Sequence, residues 1–209
     1  MKPNIFQRVA CLQVPIQQGN VEAGLQEFHR LLETAAFAEQ TLVVLPELWA
    51  AGFDYPNINL LAEQTPRVLA ELQRKAAESR IWFAGSLPEK QDTQEAGAIC
   101  NSLFFVGPEG VTGKYQKQHI FRLWHEDRFF VAGNAAQTVQ TPFGPVGALI
   151  CYDLRFPELS RRQIFSGAKL LIVSAQWPAI RLAHWRILLR ARAVENQVFL
   201  VACNGSGRV

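Results

Sequence analysis

Short apolar runs with no polar interruption recur along this chain, and segments of helical spacing separate most of them. Arg8–Val14, Leu42–Leu45, Val146–Ile150, Leu170–Ser174 and Val198–Cys203 read as strands. Most carry apolar residues at nearly every position rather than at every second one, so both faces of each strand must be covered. Val21–Ala38 reads as a helix with Val21, Leu25, Phe28, Leu32 and Ala35 on one face and Asn20 as its N-cap. Thr65-Pro66 reads as the N-cap and first residue of a second helix running to about Ser79, and further helices are expected over Pro157–Phe165 and Leu182–Glu195. Ile81–Gly85 and Ala98–Val106 read as strands joined by a polar loop. Val111–Tyr115 is expected to pair with the second of these as a hairpin through Gly107-Pro108-Glu109-Gly110. Buried strands interleaved with amphipathic helices imply sheets covered by helices, so the fold class is α/β.

At 209 residues the chain is long enough for one sizeable core, and a single domain over residues 1–209 is expected. The net charge of +3 is small, and Lys and Arg are scattered among Asp and Glu. No basic tract marks a nucleic acid or an anionic membrane as partner. The amino terminus lacks the apolar stretch of a signal peptide, and no apolar run is long enough to span a bilayer. Cys11, Cys100, Cys151 and Cys203 form no CxxC pair, which argues against a metal site and suits a reducing cytoplasm. After Val198–Cys203 only a short polar tail follows, so a carboxyl-terminal truncation is expected.

Three stretches look wrong for a purely structural role. In Leu42–Glu47 an apolar strand runs straight into a carboxylate, placed where α/β sheets bind ligands; the same residue reads equally as a solvated loop glutamate. In Tyr115–Phe121, Lys117 and His119 stand two residues apart beside aromatics, against the plainer reading of a surface lysine. In Val146–Leu159 a buried strand ends at Cys151 and Pro157 begins a helix shortly after. A thiol at such a junction lies near backbone N–H groups, which favour the thiolate. The charged run of Asp153, Arg155 and Glu158 is not how a strand continues into a core. On residues alone His119, His125 and His184 are also available as a general base.

Together, LPELWAAGF, YQKQHIF and ICYDLRFPE resemble the nitrilase superfamily of carbon–nitrogen hydrolases, over essentially the whole chain. The resemblance implies a four-layer α-β-β-α sandwich, here without the family's usual C-terminal strands, and a catalytic triad of Glu47, Lys117 and Cys151. It also implies a second acid, Glu126, spaced before the Ala132-Gly133-Asn134 turn, with Asp127 as the alternative, and leaves His119 a hydrogen-bonding core histidine. The implied reaction is hydrolysis of a small amide through a Cys151 thioester. Glu47 moves protons, Lys117 and the Tyr152 backbone N–H hold the oxyanion, and neither metal nor organic cofactor takes part. The segment from Ala175 to Gln197 looks most like the omega-amidase branch, which acts on monoamides such as 2-oxoglutaramate, although that branch usually has Asn where this chain has Gln176. Nitriles, carbamoyl-amines and other aliphatic amides are the alternative substrates, and a non-catalytic binding protein is the alternative class. Arg155 or Arg181 offers a partner for a substrate carboxylate, the plainer role of Arg155 being an ion pair with Asp153 or Glu158. Trp177 either walls the pocket or fills the core. The family commonly dimerises through the helices that follow Cys151 and Trp177, so a homodimer is expected.

Overall fold

In the computed structural model, which describes residues 8–91, 97–135, 138–141 and 144–207, nine strands form two sheets among the described residues. The amino-terminal heptad, the middle of the polar loop expected between two strands and the last two residues lie outside this set. The first sheet has the order β1 (Arg8–Cys11), β2 (Thr41–Val44), β3 (Trp82–Lys90), β4 (Ile99–Gly107) and β5 (Gly110–Gln116). β1, β2 and β3 are parallel, while β3, β4 and β5 form antiparallel pairs. The second sheet runs β6 (Val139–Thr141), β7 (Gly144–Ile150), β8 (Leu170–Ala175) and β9 (Phe199–Asn204), with β7, β8 and β9 parallel.

The pleat explains the layers. Val43 on β2 and Leu45 just after it face one way and join a core with Phe28, Leu25 and Leu72, from helices α1 (Val21–Ala35) and α2 (Ile58–Ser79). Leu42 and Val44 face the other way and pack with Ala148, Ile150 and Ile172 of the second sheet. Trp185 and Leu159, from helices α4 (Leu182–Asn196) and α3 (Pro157–Phe165), belong to that second core. Helix, sheet, sheet, helix is therefore the order of layers; β2, β4 and β8 are covered on both faces, whereas the edge strands β1 and β9 are apolar but only partly covered. Full burial of an apolar side chain such as Phe28 contributes about 1.5–3 kcal/mol, which holds α1 on the sheet.

Most expected elements are present, but several differ in extent. The strand expected to lie buried over Arg8–Val14 ends at Cys11 and is largely exposed, being at the edge of its sheet, and β3 runs on to Lys90 through part of the expected polar loop because β4 pairs with it there. Helix α1 stops at Ala35 because Ala36 turns left-handed (φ 43°) and its N–H closes on the Leu32 carbonyl. Helix α2 begins at Ile58, so Pro66 lies inside it rather than at its start. Burial of Ile58, Leu61 and Ala62 carries the helix upstream, and the Thr65 hydroxyl donates to the Pro88 carbonyl rather than capping. β6 has no apolar signature of its own and exists because β7 offers it an antiparallel edge. No helix among the described residues is long and apolar enough to cross a membrane.

Candidate active site

The carboxyl ends of β2, β5, β7 and β8 come together, and each is followed by a residue singled out from the sequence. Glu47 follows β2, Lys117 follows β5, Cys151 follows β7 and Trp177 follows β8. Parallel strands leave a crevice at their carboxyl ends, and the loops there turn their side chains into it. Backbone bonds pin two of these loops: Lys117 N–H donates to the Asn101 carbonyl at 2.9 Å, and Leu48 N–H to Ser86 Oγ at 2.9 Å.

Lys117 Nζ sits between two carboxylates, 2.8 Å from Glu47 Oε1 and 2.8 and 3.0 Å from the two oxygens of Glu126. All three residues are fully buried. Burial alone would strip an ammonium of its proton, but Glu47 and Glu126 outweigh it and hold Lys117 charged far above the ordinary lysine range. Glu47 is also gripped by Asn101 Nδ2 (2.9 Å) and the Gln176 backbone N–H (3.1 Å), while Glu126 Oε2 accepts from Phe121 N–H at 2.7 Å. Two carboxylates share one ammonium, so a fully ionised cluster carries net negative charge. Burial first, then the charge of Glu126, raises the Glu47 carboxyl above its usual range, with Lys117 opposing. Glu47 is thereby a better proton acceptor than an exposed glutamate.

Cys151 adopts a left-handed backbone (φ 44°), where β7 breaks sharply into a 3₁₀ turn over Cys151–Arg155. A non-glycine residue there costs about 1–3 kcal/mol, and such strain collects at functional turns. Part of the residue is open to a cavity, yet the sulfur's surroundings are dense. Burial first, then the Glu47 charge, pushes its thiol well above the usual range, while Lys117 pulls the other way. These surroundings favour the protonated thiol over a free thiolate.

One further carboxylate ties these loops together. Fully buried Asp153 accepts from Tyr115 Oη (2.8 Å), His119 N–H (2.9 Å) and Ile150 N–H (3.0 Å), with His119 Nδ1 2.8 Å away. Tyr115 and His119 flank Lys117, and Ile150 precedes Cys151, so one side chain spaces the lysine and cysteine loops. His119, stacked on Phe156 at 3.6 Å between ring centroids, is hydrogen-bonded as expected but half-buried rather than in the core.

A cavity of about 200 Å³ opens at Cys151, walled by Phe121, Trp124, Tyr152, Arg155, Gln176, Trp177 and Arg181 among others. Arg155 does not pair with Asp153 or Glu158 as its plainer reading required, because Asp153 is occupied by the donors above. Its guanidinium lies over the Trp177 ring, 5.0 Å from the centroid. Trp177 is mostly buried and also walls the cavity, so both of its readings hold. Among the described residues, no three His, Cys, Asp or Glu side chains are grouped as a metal ion would require.

The family model for carbon-nitrogen hydrolases matches residues 8–208. The chain belongs to that family. This hydrolase is 34% identical to a protein of Bacillus subtilis named 2-oxoglutaramate amidase, over 95% of the chain and 76% of the relative. It is also 34% identical to Omega-amidase YafV of Escherichia coli, over 96% of the chain and 75% of the relative. Among solved structures it is similar to Saccharomyces cerevisiae Nit3, a member of branch 10 of the nitrilase superfamily. The TM-score is 0.83 at 27% identity, covering 96% of the chain and 76% of Nit3.

Sequence reasoning missed several contributors to this hydrolase's site. Asn101 lies in the middle of β4, in a run that reads as pure strand core, and nothing local marks its amide as the partner of Glu47. Tyr55 sits near the cluster, stacked on Phe129 at 4.6 Å, with its phenol held protonated by burial and the Glu126 charge. Asp153 carried a signal, since a carboxylate two residues after the strand-end cysteine is out of place in a core, but two of its partners, Tyr115 and His119, lie on or just after β5 of the other sheet.

Proposed function

We propose that this hydrolase is an omega-type amidase, cleaving the terminal amide of small 2-oxo dicarboxylic monoamides through a Cys151 thioester. The observation that carries the reading is the buried Glu47–Lys117–Glu126 cluster beside a strained cysteine, at a cavity large enough for only a small molecule. The names of the relatives support the substrate class.

In this reading Glu47 takes the thiol proton as Cys151 sulfur bonds to the amide carbon. Charge passes to the amide oxygen, where Lys117 and the Tyr152 backbone N–H receive it. On collapse the carbon–nitrogen bond breaks, Glu47 returns the proton to nitrogen, and ammonia leaves. Glu47 then deprotonates a water that attacks the thioester, and the carboxylic acid departs as Cys151 regains its proton. Glu126, which holds Lys117 with both oxygens, orients the ammonium. Arg155, braced on Trp177, and Arg181 are the partners for the substrate's distal carboxylate.

The test is ammonia release from a panel of amides, nitriles and ureido compounds, with intact mass spectrometry for an acyl adduct. Turnover of 2-oxoglutaramate-type monoamides and an adduct absent from Cys151→Ala are expected. Release confined to nitriles or ureido compounds would overturn the substrate class, and an adduct surviving Cys151→Ala would overturn the nucleophile. Exposed Phe165 at the end of α3 and Ile187 and Val194 on α4 support a homodimer through these helices, and four free cysteines support a reducing, cytoplasmic setting.

A further inference from the structure

β1 of the first sheet and β9 of the second approach to Cα separations below 8 Å. Downstream of β1 the chain is stitched to the end of β9 and just beyond: Gln13 Nε2 donates to the Asn204 carbonyl at 3.0 Å, Ser206 Oγ to the Gln13 carbonyl at 2.9 Å, and Pro15 bridges Ser206. Within this frame stand two free thiols, Cys11 on β1 and Cys203 on β9. Each reaches the backbone beside the other: Cys11 Sγ lies 3.4 Å from the Ala202 carbonyl and Cys203 Sγ 3.5 Å from the Leu12 carbonyl.

We propose that Cys11 and Cys203 form a site of reversible oxidation, closing under peroxide to a disulfide that staples the two sheets together, separately from Cys151. The pair is asymmetric in the way such chemistry needs. Cys11 is exposed, so peroxide can reach its sulfur. Cys203 is fully buried beside it. Cys11 is thus the attacking sulfur and Cys203 the resolving one. The Cys11 thiolate attacks one peroxide oxygen, the O–O bond breaks, hydroxide leaves and takes up a proton, and Cys11 becomes a sulfenic acid. Cys203 sulfur then attacks Cys11 sulfur; the S–O bond breaks as the S–S bond forms, and the leaving hydroxide takes the Cys203 proton. Two thiols lose two electrons and one hydrogen peroxide becomes two waters. The next residue on β9, Asn204, bonds the Trp177 backbone in both directions, at 2.6 and 3.1 Å, so the staple anchors the strand that supports the cavity wall.

The test uses the full chain carrying Cys151→Ala, so that the proposed nucleophile does not compete, treated with hydrogen peroxide. The intact mass should fall by two hydrogen atoms, and proteolytic mapping should link the Cys11 and Cys203 peptides within one chain. The melting temperature should rise by about 5 °C or more, because the bond closes a very long loop, and dithiothreitol should reverse it. Adding Cys11→Ser, at an exposed position, should abolish the mass loss. Cys11 accumulating as sulfinic or sulfonic acid, a link between two chains, or a link to Cys100 would each overturn the proposal.

Discussion

Replacing Asp153 with asparagine removes one acceptor oxygen from a carboxylate that serves the Tyr115 hydroxyl, the His119 backbone N–H and ring Nδ1, and the Ile150 N–H. The asparagine nitrogen must occupy one of the two oxygen positions. In the position facing Tyr115 and Ile150, the hydroxyl can turn and accept, but the Ile150 N–H loses its partner. In the position facing His119, the ring can change tautomer and accept, but the His119 N–H loses its partner. Either way one buried backbone donor is stranded and the remaining bonds lose their charge assistance. A stranded donor costs about 1–3 kcal/mol and a charged hydrogen bond about 1.5–3 kcal/mol, so Asp153→Asn should destabilise by about 2–3 kcal/mol. For a chain of this size that lowers the melting temperature by about 4–12 °C. The stranded donor adjoins either Cys151 or the Lys117 loop, so their spacing slackens, and misplacement of reacting groups by an ångström costs about 100-fold in rate. Thermal denaturation followed by circular dichroism, with kcat for ammonia release measured well below the melting range, tests both halves. An unchanged melting temperature would refute the bond count. A lowered one with unchanged kcat would refute the claim that Asp153 spaces the two loops.

Lys117→Met should reduce kcat by about 100- to 1,000-fold through loss of an oxyanion donor. It should also lower the melting temperature, because Glu47 and Glu126 then face each other without a counter-charge; ammonia assays and melting curves check the pair. The acid limb of the kcat/KM profile should lie above the ordinary carboxylate range, since in the proposed mechanism Glu47 acts ionised and its carboxyl is raised by burial and by the Glu126 charge. Glu126→Gln removes that like charge, so the limb should move to lower pH in a pH–rate series. Gly24→Ala should destabilise by about 1–3 kcal/mol in chemical denaturation, because a Cβ there would lie 2.1 Å from the Ala50 backbone oxygen, which cannot rotate away.

The strands were legible wherever burial on both faces leaves no room for polar residues, as in Leu42–Val44 and Leu171–Val173. The start of α2 was not, because Thr65-Pro66 has the local chemistry of a helix beginning. Only the sheet beneath decides that Ile58, Leu61 and Ala62 are buried and the helix starts earlier. The plainer role of Arg155 failed for a similar reason: adjacency suggested Asp153, but carboxylate oxygens already filled by donors from β5 and β7 were not available to it. Nothing local set Asn101 apart from its strand neighbours either.

What the sequence by itself determined is which residues stand at the ends of buried strands and which carry reactive groups, because strand period, burial and turn chemistry are local properties of a few consecutive residues. What only the tertiary structure decided is their meeting. Lys117 bridges Glu47, 70 residues away, and Asp153 reaches 38 residues back to Tyr115. Those distances follow from which strands pair, in what register, and how two sheets stack. The raised Glu47 carboxyl follows in turn, because burial and neighbouring charge act through space and not along the chain.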